Sequence, residues 1–407
     1  MNLSFYIARR YLLGKKSQNA INIISTISVI GVTVGTMALV IVLSVFNGFD
    51  SVVKSLFSAF DPEIQISAVK GKTFSPGELP GKILAIPGVE AVSEVLEENV
   101  LLLYGDKQHI ATIKGVDEFY QDVSGLDSMI YEGSMKLLDN NRSYAVVGQG
   151  VAYHLRIGLN FINPLWVYTI DRKSKINMAQ HEESIRRDFI YPSGIFSIEQ
   201  DFDSRYVIVP LEFTRKLLSY EEEVTFLELK LDPSFPSEQV QDRIIAVAGE
   251  GYHVKNREQQ NTLFYQVMRT EKWAIFLILT FILIIASFNI IGSLSMLIID
   301  KKRDILTLRN MGASNRLIEN IFLVEGWLIS ITGSLLGLGL GTGISWIQQH
   351  FGLIKLAGSG SFVIDSYPVR IEGIDILLIW VTVILIGLIA ARYPVRQISR
   401  KYLNTPE

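Results

Sequence analysis

Apolar positions fall in four long blocks separated by stretches of ordinary polar character. Residues 17–49 hold no charged residue, and their apolar core covers about 21–46. Residues 273–299 again hold none, and in 326–354 only His350 could titrate. The last block, 374–391, has Asp375 at its edge and no charge after it. A helix needs ~20 largely apolar residues to cross the bilayer core, with a range of ~17–25. The pattern therefore predicts spans at 20–47, 273–299, 318–347 and 374–391. Buried helices of soluble proteins rarely run this long without a charge. The first block is about twice the ~7–15 residues of a signal-peptide core, so it reads as an uncleaved span.

Between the first and second spans lies a different pattern. Residues 48–272 read as an α+β domain, in which short apolar runs alternate with turn residues. Strands are expected at 64–69, 89–103 and 108–116, with a helix at 75–85 and hairpin chemistry at Tyr104-Gly105-Asp106-Lys107. The order repeats later, with strands at 226–231 and 252–255 around a helix at 237–248. Two strand–helix–strand units can pair into a split βαβ layer, with about 118–223 as an inserted subdomain. The fold class expected is an α-helical membrane protein with four spans plus a large α+β domain.

Charge then sets the orientation. The 407-residue chain has 38 Lys+Arg against 41 Asp+Glu, a formal net charge of −3. That near-neutral sum hides two opposed regions. The N-terminal segment 1–19, the link 300–317 and the tail 392–407 together hold 13 Lys+Arg against three acids. Basic residues close to span ends favour the cytoplasmic side. Four spans put both termini on one side, so all three basic segments fall in the cytoplasm. The acidic domain 48–272 and the loop 348–373 are then extracytoplasmic. The balance gives no support for nucleic-acid binding.

Sites of catalysis or metal binding find no motif. There is no cysteine, which excludes disulfides, thiol chemistry and cysteine-ligated metals. No Walker A sequence occurs, and no G-x-S-x-G elbow. His181-Glu182-Glu183-Ser184-Ile185 opens like a zincin motif but lacks its second His. The chain is expected to be no enzyme and to bind no metal or cofactor of its own.

Small and polar residues punctuate the spans. Gly31 and Gly35 form one GxxxG pair, and Gly333, Gly337 and Gly341 a double one. Such stripes let helix backbones approach closely, although glycine is also simply frequent in membrane helices. Asn289 sits near the middle of the second span, where an amide needs either another helix or a cavity. Residues 301–311 would form a short basic amphipathic helix with Ile305, Leu306 and Leu308 on its apolar side, ended by Gly312. It suits either anionic lipid or a docking protein. Residues 3–13 suit an interfacial helix.

Several local sequences together resemble a known family. These are Ala8-Arg9-Arg10-Tyr11, then Leu43-Ser44-Val45-Phe46-Asn47-Gly48-Phe49, then Arg269-Thr270-Glu271-Lys272 leading into Phe288-Asn289-Ile290-Ile291. Met311-Gly312-Ala313 and Tyr393-Pro394 complete the set. The chain resembles the LolC/LolE-type permeases of lipoprotein-releasing ABC transporters, within the wider group of MacB- and FtsX-like permeases. The resemblance covers nearly the whole length.

It implies a bacterial inner-membrane subunit that extracts lipoproteins and hands them to a periplasmic carrier. Its partners would be a second permease protomer, two copies of a cytoplasmic ATPase that uses ATP and Mg, the lipoprotein and membrane lipid. Val42, Phe46, Phe49, Met268 and Asn289 would line the lipoprotein cavity between the first two spans. Lys301, Lys302, Arg303, Leu306, Arg309, Met311 and Gly312 would form the coupling helix that docks on the ATPase. Lys175, Ile176, Asn177, Met178, Ala179 and Arg187 would belong to a carrier-recruiting hook. An FtsX-like regulator of a cell-wall hydrolase and a MacB-like efflux permease are the alternatives.

Overall fold

The computed structural model describes residues 3–13, 19–140, 142–159, 163–170, 185–355 and 366–398. It divides into two compact units, residues 1–52 with 266–407, and residues 53–265.

The first unit is helical. Helix α1 (Leu3–Leu13) precedes α2 (Asn19–Phe60). After the second unit come the remaining membrane-unit helices, named below in chain order. Among the described residues four helices are long and apolar enough to cross a membrane, each with a mean hydropathy of 1.8 or above over its most apolar window.

The second unit is built on an 11-stranded sheet. Its first third runs β1 (Ile64–Ala68), α3 (Leu79–Leu84), β2 (Val89–Tyr104) and β3 (Lys107–Val116). The middle supplies α4 (Tyr120–Val123), β4 (Ile130–Gly133), β5 (Leu138–Asp139), β6 (Arg142–Gly148), α5 (Gln149–Leu155) and β7 (Leu165–Ile170). It continues with β8 (Ile185–Phe196), α6 (Gln200–Asp203), β9 (Tyr206–Pro210) and α7 (Leu211–Leu218). The last part is β10 (Phe226–Leu231), α8 (Ser237–Ala248), β11 (Tyr252–Asn256) and α9 (Arg257–Gln260).

Sheet order is β11-β1-β10-β2-β3-β9-β6-β8-β4, with β5 on β6 and β7 bridging β2 and β8. The end β11-β1-β10-β2 interleaves the two strand–helix–strand units, all antiparallel. Helices α3 and α8 cover this end through Ile83, Val240 and Ile244. Helix α3 starts four residues later than the pattern suggests. Gly77 takes φ +49, and Pro80 stands in the first turn, where its missing N–H costs nothing.

In the membrane unit α10 (Thr262–Asp300), α11 (Lys302–Asn310), α12 (Asn315–Phe351) and α13 (Gly373–Ile398) complete the helices. Their shared core joins Val32, Leu39 and Leu43 to Leu283, Ile290, Ile329 and Val383. Helix α1 packs along α12, with Ser4 and Ala8 buried. The triple-glycine stripe of α12 lies on α2. An added Cβ on Gly333 would meet Val32, on Gly337 the Thr33 carbonyl and Thr36, and on Gly341 Val40. The α2 pair faces α10 instead, with Gly31 against Asn289 and Gly35 against Leu283. Side chains larger than hydrogen at these positions would separate the helices.

Candidate functional site

The Asn47 end of the membrane unit holds a dense set of polar contacts. They use the Ser44–Phe49 stretch of α2. The Ser44 carbonyl accepts from the Arg370 N–H at 2.8 Å. Asn47, only 3% exposed, donates from Nδ2 to Asp375 Oδ2 at 2.6 Å. Lys272 Nζ lies 3.0 Å from Asp375 Oδ2 and 3.1 Å from Glu372 Oε2. Gly48 approaches the Pro368 carbonyl so closely that a Cβ there would overlap it. Phe49 meets the Tyr367 ring edge-on, with centroids 5.1 Å apart. Arg370 also donates from Nη1 to Ser51 Oγ at 2.8 Å. Asn47 and Gly48 of the family-like stretch thus have contacts that require their type, whereas Ser44 contributes its backbone carbonyl. The sequence of the stretch looked like a signature, and the structure supplies the reason.

Of the five proposed cavity residues, Val42, Phe46 and Phe49 lie within two turns of α2 at this end. Val42 is exposed, and Phe46, Phe49 and Met268 are half-buried. Asn289 does not join them. It lies 21 residues beyond Met268 on α10, about 30 Å at the helical rise. There its carbonyl accepts from Ser28 Oγ at 2.9 Å, and its amide reaches Gly31. Asn289 is therefore placed as a partner for α2, not beside Phe46. Within this chain the α2–α10 seam at Ser28, Gly31 and Gly35 is packed. Small residues draw the two helices together along that seam.

At the opposite end α11 presents its charged face outward. Ile305 packs with Leu297, Ile298, Ile318, Phe322 and Val395. Leu308 is half-buried, whereas Leu306 and Met311 are exposed. This corrects the expected apolar side. Residues 305 and 308 share a helix face, and 306 lies about 100° away from 305. Lys302, Arg303 and Arg309 are exposed, and Lys301 is half-buried beside Asp304 at 3.6 Å. Gly312 turns the chain at φ +90, and Ser314 caps α12 by accepting from the Leu317 N–H.

One residue of this end escaped the sequence reading. Glu325 stands one position before the uncharged block that begins at Gly326. It is 1% exposed, and neither carboxyl oxygen has a hydrogen-bond partner among the described residues. Extending the block by one residue would have exposed an ionisable group inside a predicted span.

The α/β unit buries charge too. Lys114 and Glu228, each 1% exposed, pair at 2.8 Å, and Glu97 Oε1 lies 4.0 Å from the same ammonium. The Phe60 ring faces that ammonium at 4.4 Å. Burial opposes the Lys114 charge, but Glu228, Tyr120 and Glu97 outweigh it and hold its pKa above the ordinary lysine value. Burial pushes the Glu97 carboxyl up to about 7, against the pull of Lys114. Glu97 also lines a cavity of about 320 Å³ with Lys72, Thr112 and Arg205, so its carboxyl is reachable from solvent.

Of the hook residues, Lys175, Ile176, Asn177, Met178 and Ala179 lie outside the described residues. Arg187 stands on β8, exposed, with its guanidinium 5.6 Å from the Trp166 ring centre.

Two family models match the chain. The MacB-like periplasmic core domain covers residues 25–247, and the FtsX-like permease C-terminal covers residues 276–403. The "Lipoprotein-releasing system transmembrane protein LolE" of Haemophilus influenzae is 25% identical over 98% of both chains. The corresponding LolC of Buchnera aphidicola subsp. Schizaphis graminum is 26% identical, over 96% of this chain and 94% of its own. The solved periplasmic region of MacB from Actinobacillus actinomycetemcomitans superposes with a TM-score of 0.36 at 12% identity, over 53% of this chain and 98% of its own.

Proposed function

The chain belongs to the family defined by the MacB-like periplasmic core domain, and from that premise we propose that it is the permease subunit of a lipoprotein-releasing ABC transporter of the inner membrane. The observation that carries this is the end-to-end alignment with lipoprotein-releasing permeases, which spans both the membrane helices and the α/β unit. The two full-length relatives carry lipoprotein-releasing names, which favours this reading over a hydrolase regulator or an efflux permease.

Its own residues set the division of labour. With no Walker A sequence, ATP hydrolysis belongs to a separate ATPase chain. That ATPase docks on α11 through Lys302, Arg303, Arg309 and the exposed Leu306 and Met311. Both termini and α11 face the cytoplasm by their basic character. Acyl chains are held against Val42, Phe46 and Phe49 and the nearby Met268. Each CH₂ leaving hydrocarbon costs about 0.8 kcal/mol. Acyl chains therefore need a continuous apolar relay to a periplasmic carrier, which the 185–187 edge of β8 and the adjoining hook would recruit. A second permease protomer completes the complex.

Depletion of the chain in cells tests the reading. Lipoproteins should accumulate in the inner membrane while cell separation stays normal. Chained cells with normally sorted lipoproteins would instead establish the regulatory alternative. For the docking surface, reversing Lys302, Arg303 and Arg309 to Glu should release the ATPase from the membrane fraction, and full retention with normal activity would rule that surface out.

A further inference from the structure

We propose that Asn47, Lys272 and Asp375 are positioning residues for the transport step. They form a clasp that joins α2, α10 and α13 into one body, so that movement of α10 is delivered to the Val42–Phe49 turns of α2. The inference rests on the permease reading above. None of the three was among the candidate site residues drawn from the sequence.

Three observations support it. The clasp joins residues from three helices that lie far apart in the chain. Asp375 Oδ2 receives the Asn47 amide at 2.6 Å and faces Lys272 Nζ at 3.0 Å, while Glu372 takes the same ammonium at 3.1 Å. Asn47 is 3% exposed. A buried amide that lost this acceptor would have no water to replace it, so separation carries a full desolvation cost. The backbone on both sides is held as well. The Ser44 carbonyl takes the Arg370 N–H at 2.8 Å, and Gly48 rests on the Pro368 carbonyl with no room for a Cβ. Sliding α2 against α13 would break all of these together. The contacts therefore favour movement of the three helix ends as a unit.

The far end of α10 is Asp300, next to the link that bears the docking face of α11. A displacement at that link travels along a continuous helix to Lys272. From there it passes through Asp375 and Asn47 to the apolar turns that hold acyl chains. A network of this kind carries coupling only if breaking it separates the two events it joins. Without the clasp, ATP hydrolysis continues and lipoprotein release falls.

The test uses the purified complex of this chain with its ATPase in proteoliposomes, loaded with lipoprotein and supplied with carrier. The parent chain has no cysteine, so within this chain an Asn47→Cys/Asp375→Cys variant can be bridged specifically by a short bis-methanethiosulfonate, which forms a disulfide with each thiol and expels methanesulfinate. In the reduced variant, lipoprotein released per ATP should fall about tenfold while ATPase activity stays within about twofold. Bridging should restore release, because it replaces the α2–α13 tie while Glu372 still holds Lys272. A bridged variant as defective as the reduced one, or a reduced variant as efficient as the parent, overturns the proposal. If the cysteine pair does not accumulate, the exchanged pair Asn47→Asp/Asp375→Asn serves the same purpose. It keeps an amide facing a carboxylate across the α2–α13 contact while Glu372 still holds Lys272, so it should release normally where each single change does not, and a defective exchanged pair counts against the clasp.

A parent complex that hydrolyses ATP without releasing lipoprotein overturns the permease reading, whatever the variants do. The clasp is then judged by spin-label distances between Leu277→Cys and Leu377→Cys. The distribution should be narrow with Asn47 present and broad in Asn47→Ala, and equal widths would refute the clasp.

Discussion

Lys114 in the α/β unit and Glu325 in the membrane unit are each 1% exposed, but their surroundings differ. Lys114 has Glu228 at 2.8 Å, Glu97 at 4.0 Å and an aromatic face at 4.4 Å. Glu325 has no hydrogen-bond partner for either oxygen among the described residues. Removing one member of a buried pair leaves an uncompensated charge, whereas removing a buried group that already lacks a hydrogen-bond partner relieves a cost. The contrast assigns different work to the two residues. Lys114 holds the sheet together. Such a carboxyl inside a membrane-spanning helix is costly, so Glu325 is expected to serve function rather than stability.

Substitutions can break or sharpen this contrast. The largest effect is expected from Lys114→Met, which should cost ~3–5 kcal/mol by stranding Glu228 and Glu97. Amide exchange of β2 and β3 in the full chain would measure it, and unchanged protection would show that the pair is dispensable. Next is Gly337→Val, which would push into the Thr33 carbonyl and Thr36. A loss of ~1–3 kcal/mol should appear as a lower melting temperature in detergent. It would establish that the membrane unit depends on backbone approach where the α/β unit depends on paired charge.

The pH response of the α/β unit comes third. The folded pKa of Glu97, about 7, lies above its ordinary 4.5. The folded state therefore holds the extra proton between those values. Stability should fall as pH rises through that window and on to about 8, by about 3 kcal/mol from this residue. Glu97→Gln should flatten the dependence in chemical unfolding at several pH values, and an equally steep dependence in the variant would assign it elsewhere. The smallest effect has the opposite sign. Glu325→Leu should raise the stability of the membrane unit by about 1 kcal/mol and reduce lipoprotein release. A lower melting temperature would mean that Glu325 does have a stabilising partner, and the contrast with Lys114 would collapse.

Much of the architecture was legible in the chain. Strand 226–231 and helix 237–248 were read with the bounds they have in the structure. Alternating and helical periodicities are local properties, visible in a short window. The glycine stripe of α12 was equally visible, but its partner was not. That Gly333, Gly337 and Gly341 lie on α2, while Gly31 and Gly35 face α10, depends on how helices rotate about their own axes when packed. Asn289 shows the same limit. Its polarity announced a contact, but grouping it with Phe46 ignored the helical rise that sets it about 30 Å from Met268.

By itself, then, the sequence determined the four long apolar blocks and the split strand–helix units. Each follows from composition or period within a short stretch. The tertiary structure decided the pairings: Lys114 with Glu228, 114 positions apart, and Asn47 with Asp375, 328 positions apart. A side chain's type states what kind of partner it needs when buried. Only packing brings one particular carboxylate, and no other, within hydrogen-bonding distance.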